Sequence, residues 1–174
     1  MNNEVNLFQI EIPKRASHCM EGQEVFSPDT EYYSILVPDS QGYKRHDFCL
    51  ACWEGKAKDH FSLAAKTAWK ARVVSKKEVE DHSHKTRDEK AFYLLKTALE
   101  NPLDHDWAET FVLALYLARR RILYLRQELI QEDGSVLCIY EVAATEEMLS
   151  IKRQSLIGVN IQEIQAKLAA RLKN

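Results

Sequence analysis

Cysteines stand at positions 19, 49, 52 and 138. Cys49-Leu50-Ala51-Cys52 has the spacing that lets two thiolates meet one metal ion from a tight turn or a helix start. Cys19 precedes a segment dense in β-forming residues, and the pair follows that segment directly. Three sulfurs in this order suit a zinc ion whose fourth ligand must come from elsewhere. The nearest imidazoles in sequence are His18 and His46. His46 lies three residues before Cys49 and reaches the site only if the end of its strand bends. His18 adjoins Cys19, so in a strand it would point to the opposite side.

The order of single cysteine, hairpin, cysteine pair and helix is that of a treble-clef or zinc-ribbon module. A complete module carries a second ligand three residues after the first, and here that position is Gly22, which has no side chain to ligate. Three readings stay open. One is structural zinc on Cys19, Cys49 and Cys52 with His18 or His46. The second is a metal-free version with buried thiols. The third is a redox-active disulfide between Cys49 and Cys52, although Leu50-Ala51 supplies neither the Gly nor the Pro usual in redox C-x-x-C turns. Cys138 sits alone in a strand-like run and reads as a small buried hydrophobe.

A second chemistry-bearing stretch is basic. From Phe61 to Lys77 there is no acidic residue. Lys66, Lys70, Arg72, Lys76 and Lys77, with Trp69 among them, form a set able to touch phosphates and stack a base. A solvated helix face is the plainer reading, because the acidic Glu78–Asp81 stretch follows at once. Asp81-His82-Ser83-His84 resembles a loose metal clamp, although two histidines in a polar linker are more often solvated, and His105 reads as a loop residue. Arg119, Arg120 and Arg121 suit a helix C-terminus. Glu128, Glu132, Glu141, Glu146 and Glu147 read as a solvated face, with nothing to mark one as a buried acid.

Several classes are excluded on composition and motif. The five glycines are at least 13 positions apart, so neither a dinucleotide fingerprint nor a P-loop exists here. There is no G-x-S-x-G and no H-E-x-x-H. A net charge of −2 gives no whole-protein field for nucleic acid. An apolar content of 45% is too high for a wholly disordered chain. The longest apolar run, Phe111 to Ala118, is too short to span a membrane, and the start of the chain is not a signal peptide, so a cytoplasmic protein is expected.

The elements that must position these residues fall into three regions: a β-rich module over 1–55, a partly helical basic and polar connector over 56–85, and an α+β region over 86–174. In the first, Val5 to Ile12 reads as a strand. Glu31 to Val37 and Tyr43 to Phe48 read as a hairpin around Pro38–Gly42. In the connector, Phe61, Leu63, Ala64, Ala68 and Trp69 suit a short helix, and the stretch from Lys76 to Lys90 an exposed linker. In the third, Thr86-x-x-Glu89, Asp106-x-x-Glu109 and Asn160-x-x-Glu163 mark helix starts at about Arg87, Trp107 and Ile161. The helix over Trp107–Leu123 is apolar on all faces and is expected at the centre of the core. Tyr124–Ile130 and Val136–Val142 flank an Asp-Gly turn, and Met148–Ile151 adds a short strand. The region thus reads αα-βββ-α.

Cys19…Pro28…Tyr32–Leu36…Arg45–Trp53, together with Phe111–Leu115, Arg119–Leu123 and Ile161–Gln165, resembles a family of uncharacterised bacterial proteins. That resemblance implies a zinc-ribbon-like start, an arginine-marked helix and a C-terminal strand pair, and it implies no activity. It covers most of the chain outside 56–90. Gly22-Gln23 departs from it, where a ligand or hydroxyl residue and then a glycine are expected. The reading is an α+β protein, a non-enzymatic interaction or adaptor protein with a possibly zinc-binding N-terminal scaffold and another protein as partner. Its alternatives are a nucleic-acid-associated factor and a thiol redox protein.

Overall fold

The computed structural model describes residues 10–75, 86–101 and 106–173. The strand expected over 5–12 falls mostly outside these residues, and Ile10–Ile12 are not strand-paired. Lys76, Lys77, the Asp81–His84 stretch and His105 also lie outside them.

β1 (Glu31–Asp39) and β2 (Gly42–Cys49) form an antiparallel hairpin in register from Tyr32↔Cys49 to Asp39↔Gly42. Ser40-Gln41 is left as the two-residue connection that such a hairpin prefers. The other edge of β1 pairs with β3 (Trp69–Arg72), giving the order β2-β1-β3. Trp69 is therefore on a strand and not in the expected helix. Trp-Lys-Ala-Arg alternates with period two, burying Trp69 and Ala71 and exposing Lys70 and Arg72. Ahead of it only the 3-10 turn Ala64–Thr67 forms. β3 also carries the N-terminal unit well past residue 55, so the first part of the expected connector belongs to that unit's core.

Directly after β2 the chain turns into α1 (Leu50–Cys52), a π-helical stretch (Trp53–Ala57) and α2 (Lys58–His60). The wide turn buries Trp53 and Ala57 together. Trp53 stacks on Tyr33 with ring centroids 5.2 Å apart and tilts against Phe48 at 5.7 Å.

The three helix starts of the second region form where their capping residues stand. α3 (Arg87–Glu100) has the full Thr86/Glu89 capping box. Asp106 caps α4 (Trp107–Arg119) and Asn160 caps α5 (Ile161–Arg171). α4 ends four residues early. The N–H of Arg121 bonds Ala118 O, the N–H of Ile122 bonds Leu117 O, and Arg121 takes φ +59°, a left-handed stop. Nor is α4 buried all round: Leu113, Ala114 and Leu117 are buried, whereas Leu115 faces outward with none of the described elements covering that side. Among the described residues no helix is long and apolar enough to cross a membrane.

β4 (Leu123–Ile130), β5 (Val136–Val142) and β6 (Met148–Lys152) make a second antiparallel sheet in the order β4-β5-β6. It is the middle layer of the molecule. Leu137 and Ile139 join Leu129 in a core shared with the first sheet. Their alternates Cys138, Tyr140 and Val142 face the helices, in a core with Leu95, Leu117 and Leu168. Polar links cross the same junction. Arg15 pairs with Glu146 at 3.0 Å, and Tyr32 Oη donates to Glu146. Arg126, paired with Glu141 at 2.8 Å within the second sheet, donates across to Lys70 O on β3 at 3.4 Å. Glu141 is thus a buried acid and not part of a solvated face, because it sits on the inward side of β5.

Candidate metal centre

The Cys19 side chain is held by a turn that closes on itself. Cys19 N–H bonds Glu24 O at 2.8 Å, and Gln23 N–H bonds Cys19 O at 3.1 Å, with Gln23 at φ +54°. Met20 N–H bonds Asp47 O at 2.9 Å, tying this turn to the end of β2. Cys49 closes β2 and caps α1, where its sulfur accepts the N–H of Cys52 at 3.5 Å. Strand end, helix start and turn thus converge. The sulfurs of Cys19, Cys49 and Cys52 all lie within 4.8 Å of one another, a group that could hold a metal ion. All are free thiols, as is Cys138 in the other core.

The surroundings are built for negative sulfur. Cys19 Sγ accepts N–H bonds from Cys49 at 3.3 Å and from Gly22 at 3.4 Å. Burial works against ionising this thiol. The peptide N–H groups of Cys49, Gly22 and Glu21 outweigh it and hold the thiol below its ordinary range. Cys52 is pushed the other way, up to about 12, first by its hydrogen bond with Cys49, then by burial and by Cys19. Once one thiolate forms, the next is opposed by it, and a cation at the centre removes that opposition.

Neither nominated imidazole joins the group. His18 is exposed, with its Nδ1 sharing a 2.8 Å hydrogen bond with Ser17 Oγ. His46 stacks on Phe61 at 5.5 Å, and burial lowers its pKa. The group instead has Gly22 beside it. A Cβ built on Gly22 would lie 3.0 Å from Cys52 Sγ and 3.8 Å from Cys19 Sγ. The missing knuckle position therefore points into the cluster, as the three-residue spacing from Cys19 implies.

The basic stretch is not gathered into a binding surface. Trp69 is 6% exposed and lies under the Arg45 guanidinium at 5.3 Å, so it offers no face to a base. Lys70 and Arg72 both pair with Glu31, at 2.8 and 3.4 Å. Lys66 alone of the described basic residues in this set has an exposed, unclaimed place on the 3-10 turn.

Sequence reasoning missed the polar cluster that supports the cysteine turn. Asp47 accepts from Arg45 Nε at 3.0 Å, from Ser34 Oγ and from the Ala16 N–H at 2.8 Å. The available signal was the alternation in Arg45-His46-Asp47, which puts two opposite charges on one face of β2. Elsewhere, an apolar cleft of ≈ 630 Å³ lies between the β1–β2 hairpin, Phe61–Ala64 and β4. Leu63 and Ile130 line it and are 82% and 78% exposed. No protein-family model, no curated protein and no solved structure matches the chain.

Proposed function

We propose that the chain is a non-enzymatic interaction protein whose N-terminal unit, treble-clef-like in its order of elements, is held by a structural zinc ion on Cys19, Cys49 and Cys52. The observation that carries this reading is the convergence of three sulfurs from a turn, a strand end and a helix start, with peptide N–H groups of Gly22 and Cys49 bonding Cys19 Sγ and that of Cys52 bonding Cys49 Sγ. Zinc suits the set because it is borderline-soft, takes thiolate readily and imposes no geometry of its own. Four free thiols fit a reducing, cytoplasmic setting.

The interaction half rests on the cleft. Leu63 and Ile130 are large apolar side chains left in water at its rim, the kind of surface that pairs with apolar groups of another protein. The opposed pKa directions at the cysteines weigh against the redox reading, since the depressed thiol is the buried Cys19 and not a member of the C-x-x-C pair's exposed end.

The test is elemental analysis of protein purified without added metal, with a thiol count in denaturant. About one zinc per chain with four thiols is expected. No metal with four thiols overturns the zinc reading, and two missing thiols replace it with a disulfide.

A further inference from the structure

We propose that the Cys19 arm of the metal centre is positioned from the second sheet, by a pair between Arg15 and Glu146, so that metal binding is coupled to the junction between the two sheets. The inference rests on the zinc reading above and goes beyond it in naming residues, one of them outside the N-terminal unit, that set the affinity of the site.

The three sulfurs are not held alike. Cys49 ends β2 and Cys52 ends α1 directly after it, so the β1–β2 hairpin carries both. Cys19 comes from a separate turn, thirty positions before Cys49. The stem of that turn is short. Phe26 N–H bonds Ser17 O at 2.9 Å, and His18 and Val25 form a single bridge. A turn closed by so few bonds loses chain entropy when it brings its sulfur to an ion, unless its stem is fixed beforehand.

The fixing contacts reach across from the second sheet. Arg15 Nε and Nη2 donate to the two carboxylate oxygens of Glu146 at 3.0 and 3.2 Å, a two-point pair just before the stem. The two side chains are 15% and 14% exposed, so water screens the pair only in part. Glu146 belongs to the turn between β5 and β6, where its N–H bonds Val142 O at 2.9 Å. The Arg15 guanidinium also lies 5.8 Å from the ring of Phe26, at the other end of the stem. Further upstream, Ile12 is buried in the shared core, and Ile10 O accepts from Ser150 Oγ on β6 at 3.0 Å. The chain leading into the Cys19 turn is thus laid along the second sheet, while the N–H groups of Met20 and Cys49 tie the turn to the end of β2. Cys19 is held between two sheets, and loosening either anchor leaves its sulfur less preorganised. The coupling is reciprocal: an ion that fixes Cys19 strengthens the Arg15–Glu146 pair by the free energy that the pair contributes to binding.

The experiment measures cobalt(II) affinity of the full chain from its visible absorption against a competing chelator, with zinc affinity read by displacement of the cobalt. Glu146→Gln and Arg15→Ala are each expected to weaken binding about fivefold or more. The double variant should be no weaker than either single one, since both remove the same contact. Arg15→Lys keeps the charge and loses the fork, so it should fall between the parent and Arg15→Ala. Glu109→Gln is the control. It breaks the pairs of Glu109 with Lys167 and Arg171 on the helix side, and should lower the urea midpoint without moving metal affinity. Should Arg15→Ala or Glu146→Gln fail to fold, Arg15→Lys and Glu146→Asp, which keep both charges and disturb the two-point geometry, read the same loss at smaller size. Affinities of the Arg15 and Glu146 variants within about twofold of the parent overturn the inference and leave the zinc reading standing. Equal weakening by Glu109→Gln overturns it as well, because general loosening then explains the effect. A parent chain that binds neither cobalt nor zinc overturns both readings.

Discussion

Arg45 Nε donates to Asp47 Oδ1 at 3.0 Å, and the two side chains, two positions apart on the same face of β2, are 0% and 1% exposed. Asp47 spends its remaining capacity on Ser34 and on the Ala16 N–H, and its carbonyl receives Met20. One residue therefore anchors both sides of the Cys19 turn. Asp47→Ala leaves a buried guanidinium without its partner and is expected to cost about 3–5 kcal/mol. Replacing both partners, Arg45→Met with Asp47→Asn, is expected to cost less than Asp47→Ala alone. Urea denaturation of the three proteins checks the order, and a double variant weaker than the single would refute it.

Removal of metal is expected to lower the melting temperature, by an amount that grows with free zinc. At free zinc a thousand times Kd, binding adds about 4 kcal/mol to the folded state. Cys19→Ser, Cys49→Ser and Cys52→Ser should each lower the zinc content and shrink that shift. Cys138→Ser should leave the content unchanged, since its thiol lies in the helix-side core. Thermal unfolding with and without chelator, beside elemental analysis, reads both effects.

The α3–α4 pair carries an acid-sensitive tie. Tyr116 Oη donates to Asp88 Oδ1 at 2.6 Å, and Arg120 pairs with the other oxygen at 2.9 Å. The tyrosine bond first, then Arg120 and Arg87, hold the Asp88 carboxyl below its usual range. A carboxylate whose folded pKa is depressed contributes stability above its unfolded pKa of about 3.9, and that contribution is lost as pH falls through the folded value. Asp88→Asn is expected to cost about 1 kcal/mol or less at neutral pH, because the pair is partly in water. Between about pH 5 and pH 2.5 the parent should then lose more stability than the variant. Equal losses, measured by urea midpoints at the two pH values, would count against the tie.

Ile139 is buried at the junction between the two sheets. Ile139→Ala is expected to cost about 2–5 kcal/mol by the cavity it leaves. In a Trp107→Phe background, tryptophan fluorescence reports Trp53 and Trp69 on the N-terminal side, and far-ultraviolet dichroism is dominated by α3, α4 and α5 on the other face of β5. Their transitions should shift together, and two separated transitions would show that the layers unfold independently.

Local signals located most elements, because capping boxes, the Asp-Gly turn and the Glu31–Val37 run act over a few residues. Cys19, Cys49 and Cys52 were legible as a group from spacing alone. What sequence could not supply was long-range pairing. Trp69 turns from a surface aromatic into a core residue only because β3 finds the free edge of β1. Glu141 turns from solvated to buried only because β5 is covered on its second face. The fourth ligand was sought in His18 and His46, since spacing names candidates but not the direction in which their rings point. The informative residue was Gly22, whose meaning depends on atoms nearly thirty positions further along the chain.

The placement of β5 between two cores has a consequence for synthesis on the ribosome. Residues 31–72 can pair as a sheet as soon as they emerge, yet the strand that covers their inner face arrives roughly 65 residues later, several seconds at about 5–20 residues per second. During that interval a nascent chain presents bare apolar surface to whatever chaperone attends the exit tunnel. All three clustered cysteines, by contrast, are already outside, so metal loading can precede completion of the polypeptide and stabilise the half that waits.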